Sequence, residues 1–113
     1  MLGNAMHNDA HSPIFDIMHE EYLRLIEAEQ SYAKAIAKLP KGSPRIKQIR
    51  NKEYLYLARR EENKVVDYYI GPAQQDKAQQ VLEQVEKRQR LAALLKQVKR
   101  ALKDVKKVLR GKI

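Results

Sequence analysis

The chain has 113 residues, of which 33% are charged, with a formal net charge of +9 and no Cys, Trp or Thr. That length limits the core to one small domain, and the missing cysteines exclude a disulfide framework and Cys-ligated zinc. No apolar run reaches the roughly 18–20 residues that cross a bilayer, and Met1–Ala10 lacks a charged segment leading into an apolar one, so a soluble, cytoplasmic protein without a signal peptide is expected.

The charge is unevenly spread. Residues 1–37 sum to −4, residues 38–70 to +5 and residues 71–113 to +8. An acidic first third thus precedes two basic ones, which sets the electrostatics of any partner.

Residues 1–11 show no periodicity and are rich in Asn, His, Asp and Ala, the composition of a mobile arm. A single domain is expected over 12–113. Ser12-Pro13 reads as a helix start, with a hydroxyl to cap free N–H groups and a proline at the first helical position. Met18, Tyr22, Leu25, Tyr32, Ile36 and Leu39 then recur at spacings of three and four, with Glu29 as one polar intruder. That pattern predicts a helix over 13–39 with a single apolar stripe, ended by Leu39-Pro40.

Lys41-Gly-Ser-Pro44 is a turn-rich connector, and beyond it the apolar spacing changes to two. A three-stranded antiparallel meander is predicted over 45–70. Its first strand is Arg45–Arg50, turned at Asn51-Lys52. In the second, Tyr54, Tyr56 and Ala58 face one way and Leu55, Leu57 and Arg59 the other. Glu61-Glu-Asn63 makes the next turn. The third strand sets Val66, Tyr68 and Ile70 against Val65, Asp67 and Tyr69. Apolar or aromatic groups on both faces of the second and third strands predict that both faces are at least partly covered, one by helices and the other by a second subunit.

Gly71-Pro72 ends the sheet. A helical region is predicted over 73–110, first on Ala78, Leu82 and Val85, then on Leu91, Leu95, Val98, Leu102, Val105 and Leu109 at an unbroken 4-3-4-3-4 spacing. Glu86–Arg90 between them is wholly polar, which fits either one helix or two with a bend. A continuous helix over 73–110 would be about 57 Å long. So long an apolar stripe calls for a partner helix, and the six residues from Leu91 to Leu109 are the expected seam of a homodimer. The fold class is α+β: an N-terminal helix, a meander and a long C-terminal helix, in a coiled-coil-like dimer.

The run Leu39-Pro-Lys-Gly-Ser43, Lys52-Glu-Tyr-Leu-Tyr-Leu57, Arg60-Glu61, Lys64-Val65 and Tyr69-Ile-Gly71, followed by a helix rich in Glu, Lys and Arg, resembles a small module of uncharacterised prokaryotic proteins. The resemblance spans about residues 15–110 and is specific in the meander. That family has no established activity, so the resemblance implies the layout of helix, aromatic meander and charged helix. The meander also resembles the three-stranded arm-binding domains of phage-type integrases, which read DNA through a sheet.

Two basic groups are candidates for phosphate contacts. The last helix carries Lys96, Lys99, Arg100, Lys103, Lys106, Lys107 and Arg110, interrupted only by Asp104. Charge at this density neutralises phosphates and releases counterions; a solvated face partly paired with the acidic first helix is the plainer account. On the meander, Lys47, Arg50, Lys52, Arg59, Arg60 and Lys64 lie beside Tyr54, Tyr56, Tyr68 and Tyr69, and Arg59, Arg60 and Lys64 are the candidates for contacts. Such aromatics can stack bases, and they are equally good strand formers.

Other chemistry has little to build on. His7, His11 and His19 with Asp9 lack a helix signal and a completing ligand set, so no metal is expected. Ser12, Ser31 and Ser43 have no His and Asp at a recognisable spacing, and no Gly-rich phosphate loop exists, so neither catalysis nor a cofactor is expected. The sequence points to a non-enzymatic basic protein, nucleic-acid-binding or an accessory regulator of the mobile-element or toxin–antitoxin kind. The alternative is an interaction module whose helices pair with an acidic protein. Membrane attachment is not expected, because the basic helix has no Trp or Phe on its apolar side.

Overall fold

The structure, a computed structural model, describes residues 13–110; the expected arm with His7 and His11, and the Ser12 cap, lie outside the described residues. The order is α1 (Pro13–Ala37), β1 (Ser43–Ile49), β2 (Lys52–Glu61), β3 (Lys64–Pro72) and α2 (Asp76–Leu109). The protein is α+β, with a three-stranded antiparallel sheet between two helices in the chain. Its contacts form two compact units, one from the described residues within 1–34 and 93–113, the other from residues 35–92.

In the first unit the spacing of three and four becomes a core. Leu25 of α1 is buried with Leu102, Val105 and Leu109 of α2, and Phe15, Met18, Tyr22, Ile26, Val98 and Ala101 close around them. Helix α1 starts at Pro13, whose missing N–H costs nothing there, and carries Asp16 in its first turn, where a negative charge suits the dipole. It ends at Ala37, two residues short of the expected end. There the N–H of Lys38 donates to Ala35 O (3.2 Å) and that of Leu39 to Ile36 O (3.0 Å), tightening the last turn to three residues ahead of Pro40.

In the second unit the sheet runs in the order β1-β2-β3. Strand β1 begins at Ser43, because Ser43 pairs with Ala58 and Pro44 with Leu57. As the outer strand it tolerates a proline that donates no hydrogen bond. The first turn falls at Arg50-Asn51 and not at Asn51-Lys52: Ile49 pairs with Lys52, and Arg50 (φ 52°) and Asn51 (φ 67°) are both left-handed. Two such residues make the turn whose twist matches the flanking strands.

Alternation along β2 separates the faces as the sequence predicts. Leu55 and Leu57 are each 1% exposed, and Ala73, Ala78 and Val85 are the other buried apolar residues of this unit. Between Leu55 and Tyr56 the β2–β3 register shifts: Tyr69 pairs with Tyr56 and Gly71 with Leu55, leaving Ile70 as an extra residue. This bulge puts Gly71 rather than Ile70 opposite Leu55. The described residues of this chain leave the opposite face, the one expected to meet a second subunit, uncovered. Tyr69 (57%), Val65 (52%) and Ile49 (48%) are exposed there.

Helix α2 starts at Asp76 and not at 73. The N–H of Ala73 donates to Glu53 O (2.9 Å) and extends the ladder, while that of Gln75 donates to Pro72 O (3.1 Å) in a turn. The side-chain amide of Gln79 then donates to Ala73 O (2.8 Å). Through Glu86–Arg90 the helix is unbroken, since Glu, Lys, Gln and Arg are good helix formers without an apolar partner.

Candidate nucleic-acid interface

In the first unit, α2 divides its surface by residue spacing. At 3.6 residues per turn, Lys96, Lys99, Arg100, Lys103, Lys106, Lys107 and Arg110 fall within an arc of roughly 120°, and all seven are exposed. Val98, Leu102, Val105 and Leu109 occupy a separate arc and pack in the core with α1. The cations therefore form a row that the fold does not consume. Among the described residues no ion pair joins them to the carboxylates of α1. Glu21 instead pairs with Arg24 of its own helix at 2.7 Å, a contact that lowers the Glu21 pKa mainly through the hydrogen bond.

The six apolar residues expected at a dimer seam are placed unequally. Leu102, Val105 and Leu109 are buried within the chain, Val98 is half-buried beside them, and Leu91 and Leu95 are half-buried. At four of these positions α1 supplies the apolar partner that the sequence assigns to a second chain.

The meander separates Arg59, Arg60 and Lys64. Adjacent residues of a strand project to opposite faces, so Arg59 lies on the leucine side and Arg60 on the tyrosine side. Arg59 is held by the scaffold. Its guanidinium lies 4.8 Å from the centre of the Tyr68 ring, and its Nε donates to Lys41 O at 3.0 Å. The Tyr68 hydroxyl donates to Glu61 Oε2, and that bond to a carboxylate is the main reason its pKa is raised. Lys64 pairs with Glu61 across the second hairpin and is exposed.

The tyrosine face carries its own arrangement. Tyr69 packs against Tyr56 edge-on at 5.3 Å and against Tyr54 at 6.3 Å. Lys47 crosses the Tyr56 ring, 4.4 Å from its centre, and reaches Asp67 Oδ2 at 2.8 Å, while Arg45 approaches Asp67 Oδ1 at 3.6 Å. Ala58, opposite Asp67, is small enough to leave that path open. The hydrogen bond from Lys47, aided by the charges of Lys47 and Arg45, lowers the Asp67 pKa against the opposing effect of desolvation. This face thus offers three partly exposed rings and Arg60, with one carboxylate already neutralised by two cations.

Arg45 is absent from the cations singled out in the sequence, because nothing there shows that it shares a face with Asp67 two strands away. Arg88 is also absent. Its position three residues after the buried Val85 turns it toward the interior side of α2, a spacing signal that the wholly polar run around it hides. Among the described residues no group of three or more His, Asp or Glu is placed to hold a metal, and no helix is long and apolar enough to cross a membrane.

No curated protein and no solved structure matches the chain. Residues 19–80, more than half of the chain, match a family model whose span takes in most of α1, the whole meander and the first turn of α2. The chain belongs to the family of the domain of unknown function DUF6788.

Proposed function

We propose that this protein is a non-enzymatic nucleic-acid-binding protein that holds phosphate backbones along the basic arc of α2. The observation that carries this reading is the row of seven exposed cations from Lys96 to Arg110 without an ion pair to α1. Each phosphate neutralised there releases condensed counterions, which makes the affinity a function of salt and largely independent of sequence. The open tyrosine face, with Arg60, adds a surface on which unpaired bases can stack. The test is fluorescence anisotropy of labelled single- and double-stranded DNA and RNA against the folded protein, across a range of salt. Binding that weakens steeply with salt is expected; absence of binding at low salt removes the reading.

A second reading is an interaction module, with a second copy or an acidic protein as the partner. It is favoured by apolar residues that the helices leave exposed, Ile14 (67%), Ile17 (63%) and Leu23 (54%) on α1 and Val108 (52%) on α2. Light scattering at rising protein concentration separates a self-associating chain from a monomer.

A further inference from the structure

The second unit contains a cleft of about 560 Å³ between the chain entering β1, the end of β2 and the middle of α2. Four cations line it: Lys41, Arg59, Arg60 and Arg88. Glu61 is the acid among its lining residues, and one of its oxygens already accepts the Tyr68 hydroxyl. Among the described residues none of the four cations is in an ion pair. The Nε of Arg88 is buried and makes no hydrogen bond. A buried donor of that kind is costly to leave unmet, and a charged one more so. Apart from Glu61, the charged groups around it are all complementary to an anion.

We infer that this cleft is a discrete binding site for a phosphate group, with Arg88 as its central donor. A carboxylate would satisfy one guanidinium face, whereas a terminal phosphate has three free oxygens and suits several donors converging from different elements. Arg59 is already positioned to contribute, because its Nε is committed to Lys41 O and its guanidinium carbon lies 4.8 Å from the centre of the Tyr68 ring, two contacts that restrain the terminal nitrogens. The Ser43 hydroxyl adds a neutral donor. A volume of this size admits a mononucleotide or the end of a strand. The chemistry rests on the cleft alone, and the source of the phosphate, a nucleic-acid end, rests on the nucleic-acid reading.

The experiment records amide NMR spectra of the full chain during titration with AMP and with two oligonucleotides of one sequence, with and without a 5′-phosphate. The expected result is that AMP and the phosphorylated strand move the amides of Gly42, Ser43 and Gln89, and that the 5′-phosphate raises affinity about tenfold. Arg88→Met should abolish that gain and leave binding of the unphosphorylated strand unchanged. Lys41→Gln, at an exposed position that the fold tolerates, should reduce it and keeps the test valid if Arg88→Met unfolds. Cleft amides that do not respond to AMP or to the 5′-phosphate overturn the site, even where the strand binds elsewhere. A response that persists in Arg88→Met overturns the role of Arg88. A response to AMP with no strand bound supports the cleft, assigns it to a free nucleotide, and removes the nucleic-acid reading instead.

Discussion

Reversing Lys99, Lys103 and Lys106 to Glu in one protein tests the basic arc quantitatively. All three are exposed and lie outside the arc of Leu102, Val105 and Leu109, so each should alter stability by no more than about 0.5 kcal/mol. If all seven cations of the arc meet phosphates on duplex DNA, log affinity should fall with log salt at a slope of about −6.3. Raising salt from about 50 to about 200 mM then weakens binding by roughly 6,000-fold. With three contacts removed, the slope becomes about −3.6 and the same step costs roughly 150-fold. The three new carboxylates also repel the backbone, so affinity at low salt should drop well beyond the loss of three contacts. Anisotropy titrations at four or more salt concentrations give both slopes, and circular dichroism checks the helix content. A variant that folds and keeps the parent slope refutes the assignment of phosphates to this arc.

Leu102→Ala removes a side chain that is 4% exposed in the α1–α2 core and should cost about 2–5 kcal/mol in chemical denaturation; a loss under about 1 kcal/mol would mean that the core does not depend on this contact. Gly42→Ala should cost about 1–3 kcal/mol, because φ is 124° there and a Cβ would sit 3.1 Å from Leu57 Cβ and 3.2 Å from Ala58 O; an unchanged melting temperature contradicts that geometry. Asp67 has a lowered pKa in the fold, held down chiefly by the hydrogen bond from Lys47. The unfolded carboxyl therefore takes up protons at higher pH than the folded one, and its stabilisation is full above the unfolded pKa and is lost as pH falls through the folded one. Thermal melts from neutral to acidic pH should show a shallower acid decline for Asp67→Asn than for the parent, and parallel profiles would rule the contribution out.

Much of the architecture was legible because two periods differ so clearly. Tyr54, Tyr56 and Ala58 against Leu55 and Leu57 is a period of two, and it predicts how β2 divides into two faces; which of them is buried does not follow, because both carry apolar or aromatic groups. The spacing of Leu102, Val105 and Leu109 predicts burial. It does not name the partner, because a stripe looks the same whether its own chain or a second one covers it. Element ends were harder to read. The hydrogen bond from Ala73 to Glu53, which delays α2, joins residues far apart in sequence. The bulge at Ile70 was invisible for a similar reason, since a shift of register belongs to a pair of strands and not to either one. At the candidate site, the α2 arc follows from spacing alone. The pairing of Arg45 and Lys47 with Asp67, and the lining of one cleft by Arg59, Arg60 and Arg88, depend on which elements become neighbours.

A three-stranded sheet has two outer strands, and each presents unpaired N–H and C=O groups to which another chain could add itself. Strand β1 carries Pro44 near its start, which removes one donor from that row, and Arg45 and Lys47 along it, which resist the close approach of a like copy. Strand β3 begins at Lys64 and is kinked by the extra residue at Ile70, so that its free side cannot lie flat against a straight strand. The feature that brings Gly71 opposite Leu55 therefore also guards the chain against stacking into fibres. Deleting Ile70 would restore an even ladder and, with it, an edge open to aggregation.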